Sequence, residues 1–513
     1  VIDFDGLDQR IIALDVPAKR YESLAAGAEG VFFIGESEPD GPDVVLHRYD
    51  LGEREVKQVL EGIRDWTVSH DGSKLLYRTG GAAWFLADAA APEAGEGKLD
   101  LGGMRLMVDP ALEWKQIFRE AWRHQRDYFY VENVHGLDLD WAYKTYAPWV
   151  EHVRHRADLT YVLDILGGET CVGHSFTGGG DEPDVERVPI GLLGCDLEIA
   201  DGRYRITRIY DGENWNPELR APLSGPGIDA RAGDYLLAVD GIDLKADTNI
   251  YSAFDRTAGR QVVLTLNDSP KMKDARKVTI VPVRSEVALR SRAWVEGNRR
   301  KVAELSDDKL AYVWVPDTGG GGYTSFTRDY FAQQDRKGAI LDERFNHGGS
   351  IADYMVEIMS RKLLGYFNNP SGDRQPYTAP NAAIWGPKVL IVNEMAGSGG
   401  DMLPFMFKEM GIGTMVGTRT WGGLVGIWDV PALVDGGFMT SPRGGFYNLD
   451  GEWDVEGIGV APDIEVEQVP TLMQDGGDPQ LEAAVRAALA AMETESMEIL
   501  PQPADPVRSR RPK

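Results

Sequence analysis

The chain has 513 residues, of which 43% are hydrophobic and 26% charged, and its 54 Lys+Arg and 81 Asp+Glu give a formal net charge of −27. At about 150 residues per domain, this length predicts three or four domains, and the composition is that of globular rather than disordered proteins. The acidic balance argues against nucleic-acid binding, which needs a basic surface, and against docking on an anionic membrane. No apolar run approaches the ~18 residues of a membrane-spanning helix.

The two cysteines, Cys171 and Cys195, are too few for a disulfide framework or a Cys-rich zinc site, and we expect two free thiols. The chain begins VIDFDGLDQRI, without an initiator Met or the layout of a secretion signal. We therefore expect a start inside a longer or processed protein. The compartment stays open between the cytoplasm and the periplasm or secretion.

Residues 1–105 are predicted to form short strands separated by turns. Apolar-alternating runs such as KLLYRTG follow a hairpin-type turn, SHDGSK, at residues 69–74. Strand pairs at this spacing fit propeller blades, although they are too few to close a ring. We expect residues 1–105 to be the end of a β-propeller, with His47 and His70 at its surface.

Residues 106–185 change to a helical pattern. Four aromatic side chains lie at helical spacing, which favours a core between helices over a ligand site: Trp114, Phe118, Trp122 and Phe129. A second helix is predicted at residues 157–169. A glycine-rich loop that contains His174 follows it.

Residues 186–286 return to strands. The segment SGPGIDARAGDYLLAVDGIDL places a turn, a strand and a tight Asp240-Gly241 hairpin turn in sequence. This order resembles a PDZ domain of the circularly permuted bacterial kind, a module that binds peptides by adding a strand to its sheet edge.

Residues 287–495 alternate strands and helices, which predicts an α/β layered domain. Its last helix is predicted at residues 478–493. The Pro- and Arg-rich residues 496–513 are expected to form a flexible tail.

Within that domain, IVNEMAGSGGDMLPFMF places Ser398 between two glycines, directly after an apolar strand and before a helix. A serine at such a junction is exposed, and the helix N-terminus favours developing negative charge. The alternative is that Ser398 only caps the following helix. The local pattern leaves both interpretations open.

A second turn, Asn346-His347-Gly348-Gly349, follows another buried strand. Glycine permits a positive φ and a close approach, so the backbone amides of this turn could stabilise an oxyanion. An ordinary strand-to-helix loop is the alternative.

A nucleophilic serine needs a general base. Of the eight histidines, His174 lies between a helix and a glycine-rich loop, which suits a residue delivered into a cleft. Four others lie on or beside amphipathic helices, where surface or hydrogen-bonded roles are more common: His124, His135, His152 and His155. No HExxH or other metal-ligand spacing occurs, so we expect neither a metal nor another cofactor.

Together these motifs resemble the C-terminal half of the tricorn protease family over roughly residues 100–490. The motifs are, in order, EWKQIFREAWRHQRDYFY, HGLDLDW, the GHSF loop, the PDZ-like insert, LDERFNHGG, NEMAGSGGD, GIGTMVGTRTWGG and VEGIGVAPDIEVE. The resemblance implies a multi-domain α+β protein with a partial β-propeller end, a helical cap, a PDZ-like β domain and a crotonase/ClpP-like α/β layered catalytic domain.

The resemblance also implies roles for individual residues. Ser398 matches the nucleophile, His174 the general base, and Glu456 the acid that completes the family's tetrad. Gly173 stands where the family has a serine, and the missing hydroxyl is replaced by water, by Ser175 or by nothing.

The oxyanion hole is expected from the amide of Gly399 and from a glycine of the second turn, with Gly349 favoured over Gly348.

The related tail-specific proteases use a Ser/Lys pair instead of a serine and a histidine. Their lysine lies in an FGKG-like motif, and Trp421-Gly422-Gly423-Leu424 has a glycine at that position. The residues therefore predict a Ser/His serine peptidase.

In the tricorn family an acidic pocket residue selects basic side chains. The corresponding region here points to Phe367, Asn368 and Asp373 as the specificity pocket, which predicts an apolar or polar preference. The expected partners are peptide or unfolded-polypeptide substrates and further copies of the chain in a homo-oligomer, with a hexamer as the family's assembly.

Two other classes of function compete with an endopeptidase or oligopeptide-processing protease. Gly173 favours a non-catalytic PDZ scaffold that binds peptides. Paired oxyanion amides on a similar fold favour a crotonase-like enzyme acting on thioesters. The nucleophile turn and the PDZ-like insert argue against both.

Overall fold

The computed structural model of the chain describes residues 3–11, 13–38, 41–372, 374–474, 476–495 and 500–509, with Glu218 described by its backbone only. The chain divides into two compact units, Val1–Val108 and Asp109–Lys513. Among the described residues, no helix is both long and apolar enough to cross a membrane.

The first unit is an antiparallel sheet of six strands that neighbour one another in chain order. The strands are β1 (Tyr21–Ala26), β2 (Val31–Ser37), β3 (Val44–Asp50), β4 (Glu55–Val68), β5 (Lys74–Thr79) and β6 (Trp84–Asp88). The turn predicted at residues 69–74 connects β4 and β5. The six strands form one continuous meander, which is longer than the usual four-stranded propeller blade. His47 is buried rather than at the surface, and its Nε2 lies 2.7 Å from a carboxylate oxygen of Glu36.

The second unit begins with three helices, α1 (Pro110–Tyr128), α2 (Leu139–Val150) and α3 (Arg156–Gly168). α1 starts where the Asp109 carboxylate accepts hydrogen bonds from two amides of the first turn. Its aromatic stripe forms a core between helices, as predicted, with Phe118 buried and Trp114 and Trp122 packed against the same cluster. The sequence analysis missed α2, which contains Pro148, a residue that disfavours helix interiors.

The PDZ-like region is an antiparallel sheet in the order β13-β12-β10-β9-β8, with β11 beside β10. After a short strand, β7 (Thr177–Gly178), its strands are β8 (Cys195–Ala200), β9 (Arg203–Ile209), β10 (Tyr235–Val239), β11 (Ile242–Asp243), β12 (Val262–Asn267) and β13 (Arg276–Ile280). The predicted hairpin turn is present, with φ of 48° at Asp240 and 83° at Gly241. Both cysteines are free, and burial raises the pKa of Cys195 to about 12.

The remaining residues form a parallel sheet with helices on both faces. Its elements are α4 (Val287–Leu305), β14 (Leu310–Trp314), α5 (Gly320–Ala332), β15 (Gly338–Asp342), α6 (Ala352–Met359), β16 (Gly365–Phe367), β17 (Tyr377–Ala379), β18 (Lys388–Val392), α7 (Gly399–Glu409), β19 (Thr414–Gly417), β20 (Gly426–Ile427), β21 (Phe438–Met439), β22 (Pro442–Gly444), β23 (Ile464–Glu465), α8 (Pro470–Met473) and α9 (Pro479–Glu495). The sheet order is β14-β15-β18-β19-β23. One face packs on α5, α6 and α7, and the other on α4 and α9.

This topology positions the two turns that the sequence analysis singled out. β15 and β18 are parallel neighbours, with Leu341 opposite Leu390. The carboxyl ends of parallel neighbours lie at one edge of a sheet, where α/β folds place their sites. The turns that contain Gly349 and Ser398 therefore meet at that edge.

The helical region is attached to the segment before and after β21. β7 pairs with β21, and Met439 of that strand is part of the helical core. Arg156 of α3 and Asp435 form an ion pair at 2.5 Å in which both side chains are about 1% exposed. These contacts fix the loop between α3 and β7, which carries His174, against the segment around β21.

Candidate active site

Ser398 lies at the junction of β18 and α7. Its backbone has φ 60° and ψ −115°, a conformation that non-glycine residues rarely adopt and that costs on the order of 1–3 kcal/mol. The neighbouring residue must be small, because a Cβ at Gly399 would lie 1.9 Å from Oγ1 of Thr318. Strained strand-to-helix turns of this kind present a nucleophile at the edge of a sheet.

The carboxylate of Asp401, in the first turn of α7, holds this junction. It is fully buried and accepts four hydrogen bonds: from the amides of Ser398 (2.8 Å), Gly422 (2.8 Å) and Gly423 (3.1 Å) and from the hydroxyl of Thr420 (2.5 Å). Burial raises the pKa of Asp401, and the four hydrogen bonds oppose that rise because they stabilise the charge. Asp401 thus ties the nucleophile turn to the loop that follows β19.

The turn after β15 packs directly on the nucleophile turn. The carbonyl of Asn346 accepts a hydrogen bond from the amide of Gly397 at 3.1 Å. A Cβ at Gly348 would lie 2.7 Å from Cβ of Ser398, so this contact requires glycine. The two turns therefore form one surface.

Two amides on this surface are free to bind an oxyanion. The amide of Gly348 donates to Oδ1 of Asn346 at 2.9 Å and is thereby occupied. The amides of Gly349 and Gly399 have no acceptor in the part of the chain that the structure describes. Gly349 has φ 136°, a conformation that favours glycine. Paired free amides beside a serine are what an oxyanion hole requires, and these are the two glycines that the sequence analysis favoured.

His174 reaches the site on the loop between α3 and β7. The hydroxyl of Thr440 fixes this loop, since it donates to the carbonyl of His174 and accepts from the amide of Phe176, each at 2.8 Å. His174 is 6% exposed, and its Nδ1 has no partner among the described residues. Burial lowers the pKa of His174, while the charges of Glu456 and Asp401 oppose this shift. The neutral form, which a general base needs, is therefore favoured.

Glu456 lies beside the base loop, but its carboxylate binds backbone amides. One oxygen accepts from Gly173 at 2.9 Å, and the other accepts from Leu424 and Val425, both at 2.7 Å. Within the described residues, no hydrogen bond joins Glu456 to the imidazole of His174. Glu456 therefore binds the backbone of Gly173, the residue directly before His174, rather than the imidazole.

Ser175 does not supply the hydroxyl that Gly173 lacks. Its Oγ is buried without a hydrogen-bond partner in the described structure, and a Cβ at Gly167 would lie 2.1 Å from it. The hydroxyl thus faces α3, and the amide of Gly173 provides the link to Glu456 instead.

Ser398 and His174 share Trp421 as a neighbour. The ring centroids of Trp421 and His174 are 5.3 Å apart, and a Cβ at Gly397, next to the nucleophile, would lie 2.5 Å from the indole. No hydrogen bond joins Ser398 to His174 in the structure as described. Such bonds are often long without substrate and tighten only in the complex.

Of the residues predicted for the specificity pocket, Phe367 is not brought to the turn that carries Ser398. Phe367 lines a cavity of about 1010 Å³ together with Lys337 and Gly386, which precede β15 and β18. This cavity lies at the amino edge of the sheet, about 16 Å from the carboxyl edge for five-residue strands. Asn368 is exposed next to Phe367, and Asp373 lies outside the described residues. Their role in specificity stays a prediction.

The sequence analysis missed four residues that shape the site: Asp401, Thr420, Trp421 and Thr440. Asp401 had a local signal, because an acid three residues after a serine at a helix start forms a capping box. Thr440 and Trp421 had none, since their partners lie far away in the sequence.

The parallel sheet and its two glycine turns lie in a region that matches a known class, the S41 peptidases. The model described as Peptidase family S41 matches residues 309–466. Two further models match the regions before it, the Tricorn protease C1 domain over residues 110–168 and the Tricorn protease PDZ domain over residues 191–285.

Over almost its whole length, the chain is similar to members of the tricorn protease family. It is 36% identical to tricorn protease homolog 1 of Streptomyces coelicolor, over 96% of this chain and 47% of that protein. It is 31% identical to the tricorn protease of Thermoplasma acidophilum, over 98% of this chain and 46% of that protein. A crystal structure of the tricorn protease superposes with a TM-score of 0.87 at 30% identity, covering 94% of this chain and 47% of that one. The chain thus spans about half the length of the relatives it matches.

Proposed function

We propose that this chain is the catalytic part of a serine peptidase that hydrolyses peptide bonds in oligopeptides or unfolded polypeptides through an acyl-enzyme. The observation that carries the proposal is the strained turn at Ser398, with the free amides of Gly399 and Gly349 beside it. The similarity to relatives that are named proteases, and the match to the S41 peptidase model, support it.

In this mechanism, Oγ of Ser398 attacks the substrate carbonyl carbon while His174 accepts the hydroxyl proton. The oxygen of the tetrahedral intermediate accepts hydrogen bonds from the amides of Gly399 and Gly349, and the N-terminus of α7 favours its negative charge. His174 then donates the proton to the leaving amine. Water then enters and hydrolyses the acyl-enzyme, with His174 again accepting a proton and returning it to Ser398. Throughout, Glu456 holds the loop that carries His174 through the backbone of that loop.

Labelling with a fluorophosphonate, followed by mapping of the modified residue, tests this proposal. We expect the label on Ser398 and a large loss of labelling in His174→Ala. Ser360→Ala is a matched control, because Ser360 follows α6 and its hydroxyl bonds only to a helix carbonyl. A folded chain that takes no label on Ser398 would contradict the peptidase and favour the peptide-binding scaffold.

We further propose that the chain works as a homo-oligomer, and the family resemblance suggests a hexamer that encloses the site. Most of the aromatic stripe of α1 is used in the protomer's own core, but Trp141 and Trp149 of α2 are 49% and 46% exposed. Exposed aromatic side chains are common in interfaces. The PDZ-like region could hold an incoming peptide by strand addition.

Light scattering, paired with cleavage assays on a short peptide and on a folded protein, tests the enclosed assembly. We expect an oligomer that cleaves only the peptide. A monomer that cleaves both substrates equally well would contradict enclosure and leave the assignment of Ser398 standing.

A further inference from the structure

Two aromatic rings flank the imidazole of His174. Its Nδ1 has no hydrogen-bond partner in the described residues, and both carboxylate oxygens of Glu456 are taken by backbone amides. Trp421 lies 5.3 Å from the imidazole centroid at an interplanar angle of 63°, and Phe176 lies 5.7 Å away at 77°. Edge-to-face contacts of this kind are favourable and directional.

The indole of Trp421 rests on three glycines from separate parts of the chain. A Cβ would lie 2.5 Å from the ring at Gly397, 2.2 Å at Gly423 and 3.2 Å at Gly173. Side chains at the first two positions would displace the ring, and one at Gly173 would press against it. Position 173, directly before His174, is thus occupied by glycine at the place where the indole packs.

The backbone of Trp421 is attached to the nucleophile turn. Its amide donates to the carbonyl of Ala396 at 2.9 Å. The residues on both sides of it donate to the carboxylate of Asp401, which also accepts from the amide of Ser398. One buried carboxylate therefore sets the position of both the nucleophile and the indole.

We propose that Trp421 is a positioning residue for the general base: its indole, seated on Gly173, sets the plane of the His174 ring in place of a hydrogen-bond partner and couples the base to the nucleophile turn. This inference rests on the proposed function, because it assigns a task to Trp421 only if His174 accepts the proton of Ser398.

The arrangement has a measurable consequence for the base. The indole is one of the rings packed on the imidazole, and burial lowers the pKa of His174. The charged groups that act on the imidazole are Glu456 and Asp401, and both raise its pKa. Removal of the indole admits water, so the pKa of His174 should rise toward the ordinary value of about 6.5.

The test is the rate at which a fluorophosphonate labels Ser398 in the 513-residue chain, measured as a function of pH in Trp421→Ala, Trp421→Phe and Trp428→Ala. Trp428 is a matched control, because it is 62% exposed, packs on Gly444, where a Cβ would lie 2.0 Å from its ring, and has no ring contact with His174.

We expect Trp421→Ala to label at least about tenfold more slowly at its optimum, since small misplacements of catalytic groups cost up to ~100-fold. Its acid limb should move to higher pH. Trp421→Phe should show smaller changes in the same directions, and Trp428→Ala should match the unaltered chain.

The possible outcomes distinguish a failure of the positioning role of Trp421 from a failure of the proposed function. An unaltered rate and acid limb in folded Trp421→Ala would overturn the positioning role, while continued labelling of Ser398 would leave the proposed function intact. No label on Ser398 in the unaltered chain would contradict the proposed function itself. If circular dichroism shows that Trp421→Ala does not fold, the pH dependence of labelling is compared between Trp421→Leu and Trp421→Phe. The acid limb of Trp421→Phe should lie at lower pH than that of Trp421→Leu. Identical pH profiles of the two variants would overturn the positioning role.

Discussion

The turn that carries Ser398, the proposed nucleophile, and the loop that carries His174, the proposed base, both contact Trp421 but are held by different forces. At the nucleophile turn, directional hydrogen bonds to the buried carboxylate of Asp401 maintain a strained backbone at Ser398. In the loop that carries His174, Thr440 and Glu456 hold the backbone, whereas the imidazole lies edge-to-face against two aromatic rings and its Nδ1 has no partner in the described residues.

The difference follows from what each group must do. A strained backbone conformation persists only where its surroundings over-determine it, and buried charge-assisted hydrogen bonds do so strongly. A general base must be neutral before the reaction, and a dry, apolar setting favours that form. The candidate site therefore combines a polar clamp on the proposed nucleophile, Ser398, with an apolar one on the proposed base, His174.

The largest expected effect is loss of the nucleophile. Ser398→Ala should lower peptide hydrolysis on the order of 10³-fold or more, and His174→Ala should approach that loss, because the two act as a unit. Hydrolysis assays together with circular dichroism check both variants. Near-normal turnover in folded Ser398→Ala would show that Ser398 is not the nucleophile.

Loss of the polar clamp should come next. In Asp401→Asn the remaining oxygen cannot serve all four donors, and each buried donor left unpaired costs about 1–3 kcal/mol. We expect a fall in the free energy of unfolding by urea and a loss of activity of roughly 100-fold. Asp463→Asn is the control, because Asp463 is exposed and accepts from the amide of Met415 outside the site. Unchanged stability in Asp401→Asn would show that Asp401 does not hold the turn.

Loss of Glu456, which supports His174 only through the backbone, should have the smallest effect on activity. Glu456→Gln keeps one acceptor oxygen for the amides of Gly173 or Leu424, so we expect a fall in kcat/KM of roughly tenfold, well short of His174→Ala. Glu452→Gln, at an exposed position of the same segment, should leave activity unchanged. If Glu456→Gln were as damaging as His174→Ala, Glu456 would have to contact the imidazole directly.

Much of this architecture could be predicted from the sequence because its signals are local. The apolar strand, glycine turn and helix around Ser398, the turn at Asp240 and the aromatic stripe of α1 all follow from short patterns. The helix α4 escaped notice because its arginine-rich sequence shows little apolar periodicity, and α2 because it contains a proline.

The parts of the site that could not be predicted depend on long-range packing. The contacts of Trp421 with Gly173 and His174 join distant parts of the chain, and so does the bond from Thr440 to the base loop. The departure at Gly173 was visible in the sequence. The packing of an indole on that glycine appears only in the fold.

The most direct test of a dry, neutral base is a titration of His174 by NMR, in chain labelled with ¹⁵N-histidine and assigned by comparison with His174→Gln. Because burial outweighs the charges of Glu456 and Asp401, we expect a pKa below the ordinary value of about 6.5. A lowered pKa means that the unfolded chain binds the proton more readily, so stability and activity should both decline as pH falls from about 6.5 through the folded-state pKa. A pKa above 6.5 would show that a carboxylate pairs with the imidazole and would contradict the apolar clamp.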